Sequence, residues 1–188
     1  MMEGIDGSFG AVLFVGYHAS TTNAAGVRAH TMSSANLADV RIQGVSVPEA
    51  GFNAAIAGHF GVPVALITGD DVIVKEAQAL LGPIEGVTVK QALGFHSAKT
   101  LSPEASCDAI REGARRAIGR LRDLKPYRVA TPVTLEVRFK NYRPAEVLAY
   151  LPVVERIDAH AVRYKAKDML DASRFLEFAL GYEPGLSP

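Results

Sequence analysis

The hydrophobic pattern along this chain switches between continuous apolar runs, strict alternation and helical spacing. Residues 11–17 form an apolar run that stops at His18. Such a run without polar interruption predicts a strand buried on both faces. Residues 18–29 are rich in Ser, Thr, Asn and Gly and read as a loop. Residues 37–42 and 45–47 flank Gln43-Gly44, which suits a tight hairpin turn. Pro48 opens a helix through His59, since proline is favoured in a first helical turn, and Gly61 closes it. Residues 63–68 predict a second buried strand. Gly69-Asp70-Asp71 then turns into an aspartate-capped helix through Leu81.

Residues 87–91 suggest a short strand. Ser102-Pro103 caps the longest helix, which runs to about Leu124, and residues 125–132 read as a linker. Residues 133–140 alternate strictly between apolar and polar, the mark of a half-exposed strand. A helix over 144–151, strands over 153–157 and 161–166, and an Asp168-capped helix to about Gly181 complete the pattern. Strand and helix alternate in the first half, which predicts an α/β fold. The expected architecture is a mixed sheet with flanking helices (residues 1–125), followed by a smaller α+β C-terminal portion (residues 126–188) packed on the first. A buried strand this early in the chain lacks obvious neighbours, so the fold is expected to draw on sequence N-terminal to it.

Composition adds limits. The 188 residues carry no net formal charge and are 48% hydrophobic, which argues for small-molecule handling or self-association and against nucleic acid. No run is long enough to span a membrane, and the first residues lack a basic leader, so a cytoplasmic protein is expected. The single cysteine, Cys107, reads as a helix-packing thiol. The arginines at 111, 115, 116, 120 and 122 read as a solvated helix face.

Candidate chemistry is dispersed. There is no GxSxG, P-loop, GxGxxG or HExxH signature. His18 sits at a strand end, where ligands collect in α/β sheets. His30 follows on the next segment, and Glu49 occupies a first helical turn. A zinc site needs three or four N, O or S donors converging at about 2 Å. Each candidate also has an ordinary explanation: a strand-end histidine is often structural, the helix dipole favours a carboxylate at position 49, and His30 could hydrogen-bond in a turn. His59 suits a helix end. Asp70, Asp71, Asp158 and Asp168 read first as caps. His96 and His160 carry no assignment. A metal-independent hydrolase using Ser33 or Ser34 with His30 lacks an orienting acid and an oxyanion hole.

A series of short motifs narrows these options. Val15-Gly-Tyr-His-Ala19, Gly26-Val-Arg-Ala-His-Thr-Met32, Glu49-Ala-Gly-Phe-Asn53 and Gly61-Val-Pro-Val-Ala-Leu-Ile-Thr-Gly-Asp-Asp71 occur in order. Val89-Lys-Gln-Ala-Leu, Leu101-Ser-Pro-Glu and Lys165-Ala-Lys-Asp-Met-Leu-Asp-Ala172 follow. Together they resemble the zinc-dependent D-aminopeptidase family, of the type found in a bacterial dipeptide-transport operon. The resemblance implies a two-zinc α/β metallopeptidase, assembled as a decamer, that removes N-terminal D-residues from short peptides. It makes His18 and Glu49 zinc ligands and His30 the catalytic histidine, described in the family as the nucleophile; a general base acting through water is the chemical alternative. The family's other ligands, from an N-terminal Asp-x-Glu-Gly motif and a histidine after the next strand, have no match here, and Glu3 is not read as a ligand. The chain therefore resembles the C-terminal two-thirds of a member. A second reading stays open: a non-catalytic remnant that binds peptides or assembles without turnover.

Overall fold

In the computed structural model, which describes residues 2–181, the chain forms β1 (Val12–Tyr17), β2 (Leu37–Ile42), β3 (Val45–Ser46), α1 (Glu49–His59), β4 (Val64–Asp70) and α2 (Asp71–Leu81). It continues through β5 (Glu85–Gly94), β6 (Ser97–Thr100), α3 (Pro103–Gly119), β7 (Val133–Phe139), α4 (Tyr142–Leu148), β8 (Val154–Asp158), β9 (Ala161–Ala166) and α5 (Met169–Gly181). The α/β expectation holds, with the strands divided between two sheets. One has the order β1-β4-β5-β6, parallel except for the β5–β6 pair. The other is antiparallel, in the order β3-β2-β7-β9-β8.

The turn chemistry explains the second sheet. Gln43 and Gly44 both have positive φ, 52° and 79°, as a two-residue hairpin turn with the strand twist requires. The strict alternation of β7 places Val133, Leu135, Val137 and Phe139 in the core. Helix α5 covers that face with Ala172, Phe175 and Leu176, and Asp168 caps it by accepting from the Asp171 amide at 2.9 Å.

Helix α1 is the shared element. Residues 50 to 58 are buried without exception, because the two faces of the helix serve two cores. Phe52, Ala55 and Ile56 pack with the antiparallel sheet and α5, whereas Ala50 and Ala54 pack with β1, β4 and α2. A helix that is apolar all round is buried in this way.

Four expectations need correction. The run at 11–17 forms a strand, but among the described residues β1 is an edge strand paired only with β4, and Val15 is 59% exposed. A continuous apolar run records β propensity and does not fix a strand's place in the sheet. The strand near 87–91 extends over Glu85–Gly94 and folds back as β6, a hairpin the pattern did not announce. Helix α4 starts earlier than position 144, because Asn141 caps it by accepting from the Arg143 amide at 3.0 Å. Cys107 is exposed on α3 and packs no helix. The arginine face of α3 is solvated and carries surface ion pairs such as Arg111–Asp108 and Arg115–Glu112, each worth about 1 kcal/mol or less.

Candidate active site

The end of β1 is bent by its glycine. Gly16 has φ +77° and lies within a register shift between Phe14 and Tyr17. Its amide donates to Thr68 Oγ1 at 2.9 Å. On β4, a Cβ at Gly69 would stand 2.4 Å from the Tyr17 carbonyl oxygen. Only glycine allows this approach, which carries Tyr17 and His18 out at the C-terminal end of the strand.

The following loop is tied down by the acids of α2. The Ser20 amide and the Asn23 side chain donate to Glu76 at 2.9 and 2.6 Å. Asp70, 1% exposed, has two duties. Its Oδ1 caps α2 through the amides of Val72 and Ile73 at 3.0 and 2.9 Å, and its Oδ2 accepts from the Val27 amide at 3.0 Å. The tip of the β5–β6 hairpin adds a bond from the Arg28 amide to the Phe95 carbonyl, 2.8 Å. His30 is thereby fixed beside Ala19, whose carbonyl accepts its amide at 2.9 Å.

Three separate segments now meet. His18, His30 and Glu49, with Tyr17, Gly16 and Val15, line one open cavity of about 210 Å³. The two imidazole rings lie 4.9 Å apart, centroid to centroid, tilted by 42°. His30 Nδ1 lies 2.8 Å from the Arg28 carbonyl. A carbonyl only accepts, so in the neutral ring Nδ1 carries the proton and Nε2 the lone pair. Glu49 Oε2 accepts from the Met32 amide at 3.3 Å, so the first turn of α1 is stitched to the loop carrying His30.

Burial, then the neighbouring His30, and then the positive charges of Lys90 and Arg28 hold His18 below the ordinary imidazole pKa, against the opposing pull of Asp70. These influences favour the neutral imidazole, the form able to bind a metal. Tyr17 is pushed above the ordinary phenol range by burial, with Glu49 adding to the shift, while a bond from Asn53 opposes it. Asn53 Nδ2 donates to its oxygen at 3.0 Å. Neither Tyr17 nor the double role of Asp70 was singled out from sequence. The Asp70–Val27 contact joins residues 43 positions apart, and no local pattern encodes it.

Imidazoles and a carboxylate gathered at the C-terminal end of a strand in an α/β sheet are side chains of the kinds that bind metals or act in hydrolysis. The chain matches the D-aminopeptidase family of M55 peptidases over residues 1–178 and belongs to it. It is 34% identical over 173 residues to the D-aminopeptidase of Bacillus subtilis (strain 168), a match covering 92% of this chain and 62% of that protein. It is also similar to the solved structure of the Zn-dependent D-aminopeptidase DppA from Bacillus subtilis, described as a self-compartmentalizing protease. That similarity has a TM-score of 0.91 at 32% identity and covers 96% of this chain and 66% of that one. The chain thus spans somewhat under two-thirds of the relatives it matches.

The donors in the cavity suit zinc chemically, an imidazole nitrogen and a carboxylate oxygen at one strand end. Among the described residues, no group of three or more His, Cys, Asp or Glu side chains converges as a complete metal site. His18 and Glu49 are of ligand type and line the same cavity, and further ligands would have to come from other groups. Among the described residues, no helix is long and apolar enough to cross a membrane.

Proposed function

We propose that this chain is the site-bearing part of a zinc-dependent aminopeptidase that removes N-terminal D-residues from short peptides. In this reading His18 and Glu49 ligate zinc and His30 is the catalytic residue. The observation that carries the reading is the convergence of these three side chains, from a strand end, a loop and a helix start, on one cavity. Membership of the D-aminopeptidase family supplies the reaction class.

Zinc, when bound, polarises the scissile carbonyl as a Lewis acid. The chain's own residues do the rest. The Arg28 carbonyl holds the His30 tautomer, so Nε2 is the basic ring nitrogen; as general base it takes a proton from the attacking water and returns it to the leaving amine as the C–N bond breaks, and as nucleophile it would form an acyl–imidazole as the amine leaves with a proton from water, the acyl group then being hydrolysed. Tyr17, kept neutral, donates a hydrogen bond into the same space. The Met32 amide orients Glu49. The relative's description as self-compartmentalizing supports assembly with copies of this chain, and a decamer is the expected form, to be checked by sedimentation velocity.

The shortage of donors favours the second reading, peptide binding without turnover, and metal analysis separates the two. On the enzymatic reading the purified protein retains about two zinc ions per chain after dialysis, which requires donors beyond His18 and Glu49; on the binding reading it retains close to none. His18→Ala should weaken zinc binding by at least about 100-fold, since even loss of a residue that only supports a ligand costs about 10- to 100-fold. Zinc near zero in the unaltered protein would overturn the enzymatic reading and leave the binding one.

A further inference from the structure

Tyr17 is the last residue of β1 and lines the cavity beside His18, His30 and Glu49. It is held from three directions. Its backbone carbonyl closes on Gly69, where a Cβ would stand 2.4 Å away. Its ring packs against Phe14, centroids 4.5 Å apart, and Phe14 is buried in the core. Its hydroxyl oxygen accepts from Asn53 Nδ2 at 3.0 Å. Asn53 is itself buried and sits four residues beyond Glu49 on α1, the spacing that puts two side chains on one helix face. The helix that presents the carboxylate therefore also fixes the phenol. A phenylalanine would pack against Phe14 equally well, so packing does not account for the hydroxyl.

We propose that Tyr17 is a catalytic residue: its hydroxyl donates a hydrogen bond to the carbonyl oxygen of the scissile peptide bond and stabilises the negative charge that gathers there. The inference rests on the aminopeptidase reading of this cavity and adds the residue that meets the developing charge. A hydroxyl has one proton and two lone pairs, so accepting from Asn53 and donating to a substrate are compatible. Elimination points to Tyr17 among the residues lining the cavity. Val15 and Gly16 bring no side-chain donor, and the Gly16 amide is committed to Thr68. His18 and Glu49 are assigned to the metal, and His30 to the base or nucleophile. Whichever atom attacks, the carbonyl carbon becomes tetrahedral and its oxygen gains charge. The phenol keeps its proton throughout, and no bond to Tyr17 forms or breaks. The hydrogen bond strengthens as the charge grows, and a donor already fixed by Asn53 and Phe14 needs little reorganisation at that moment.

The test compares Tyr17→Phe with the unaltered protein, both loaded with zinc. Two probes are used: D-Ala-Gly-Gly as substrate, and a phosphinic analogue in which an anionic tetrahedral phosphorus stands in for its first peptide carbonyl. Tyr17→Phe is expected to lower kcat about 100-fold, the cost of removing one such donor, with KM changed by about twofold or less. Calorimetry should show the analogue binding about 100-fold more weakly. The melting temperature should fall by no more than about 5 °C, since one hydrogen bond is lost. A purely structural hydroxyl predicts a lower melting temperature with kcat and analogue binding unchanged, and that result overturns the proposal. Equal losses in KM and in analogue binding, with kcat unchanged, overturn it as well. If Tyr17→Phe does not fold, the unaltered protein carrying ¹³Cζ-labelled tyrosine decides: the analogue should shift one of the six tyrosine signals, and no shift overturns the proposal. Turnover by both proteins at the same rate defeats the role of Tyr17 alone. No turnover by the unaltered protein defeats the aminopeptidase reading, and the proposal with it.

Discussion

Replacing His30 with alanine is expected to lower kcat/KM on a D-aminoacyl peptide by about 10²- to 10⁴-fold, the range that a positioned acid–base group contributes. The same change should move the melting temperature by no more than about 3 °C, because its stability cost is about 1 kcal/mol or less. The separation follows from how His30 is held. Its backbone amide bonds to the Ala19 carbonyl, a contact that alanine keeps. The side chain gives up one partly exposed bond to the Arg28 carbonyl and no core packing. The loop should therefore stay in place while the cavity loses its basic nitrogen. Peptidase assays beside thermal melts check both halves, and full activity in the folded variant would remove His30 from the mechanism.

Asp70→Ala is expected to act in the opposite sense, on stability first. The carboxylate satisfies the Val72 and Ile73 amides at the start of α2 and the Val27 amide in the loop before His30. Loss of an N-cap costs about 1 kcal/mol, and a buried amide left without a partner costs about 1–3 kcal/mol more. The total, about 3 kcal/mol, should be visible as a lower denaturant midpoint at an unchanged slope. Asp70→Asn is the informative companion. Its carbonyl can still cap α2, but its NH₂ group would face the Val27 N–H, donor against donor. The asparagine variant should therefore keep helix α2 and still release the loop, with zinc binding and hydrolysis falling more than stability. Equal stability of all three proteins would show that the loop has another anchor.

The contrast between these two residues shows what could be read from the chain itself. His18, His30 and Glu49 stand out by position, at a strand end, on the next segment and in a first helical turn, and the ordered motifs of a known family give them their roles; nothing in their spacing shows that they meet. The Asp70 cap was legible because capping is local, written in the residue before an apolar helical repeat. Its bond to Val27 was not, because it depends on how β4 and the loop after β1 pack in three dimensions. The helices and the hairpin at Gln43-Gly44 came out near their predicted places for the same local reasons. The β5–β6 hairpin escaped because Ala92-Leu93-Gly94-Phe95-His96 offers neither alternation nor a two-residue turn signature. The edge position of β1 escaped because sheet order is a property of the whole fold. Tyr17 escaped because a tyrosine at the end of an apolar strand looks like ordinary core.

The shared helix α1 has a consequence for how the molecule opens. Its amides lie between two cores, and neither core can loosen without exposing one of its faces. Amide protons in the middle of α1, around Ala54 to Ile56, should be among the slowest to exchange with deuterium, released only by global unfolding. Glu49 begins that helix. The carboxylate is thus anchored to a helix buried between two cores, while His30 rides on a loop held by the Asp70 and Glu76 side chains and by backbone bonds to Phe95 and Ala19. Exchange in the amides of residues 27–32 should run faster than in α1 by several orders of magnitude. The two halves of the site are thus held by different means, Glu49 by the burial of its helix and His30 by hydrogen bonds along its loop, and on opening the loop is expected to yield before the helix.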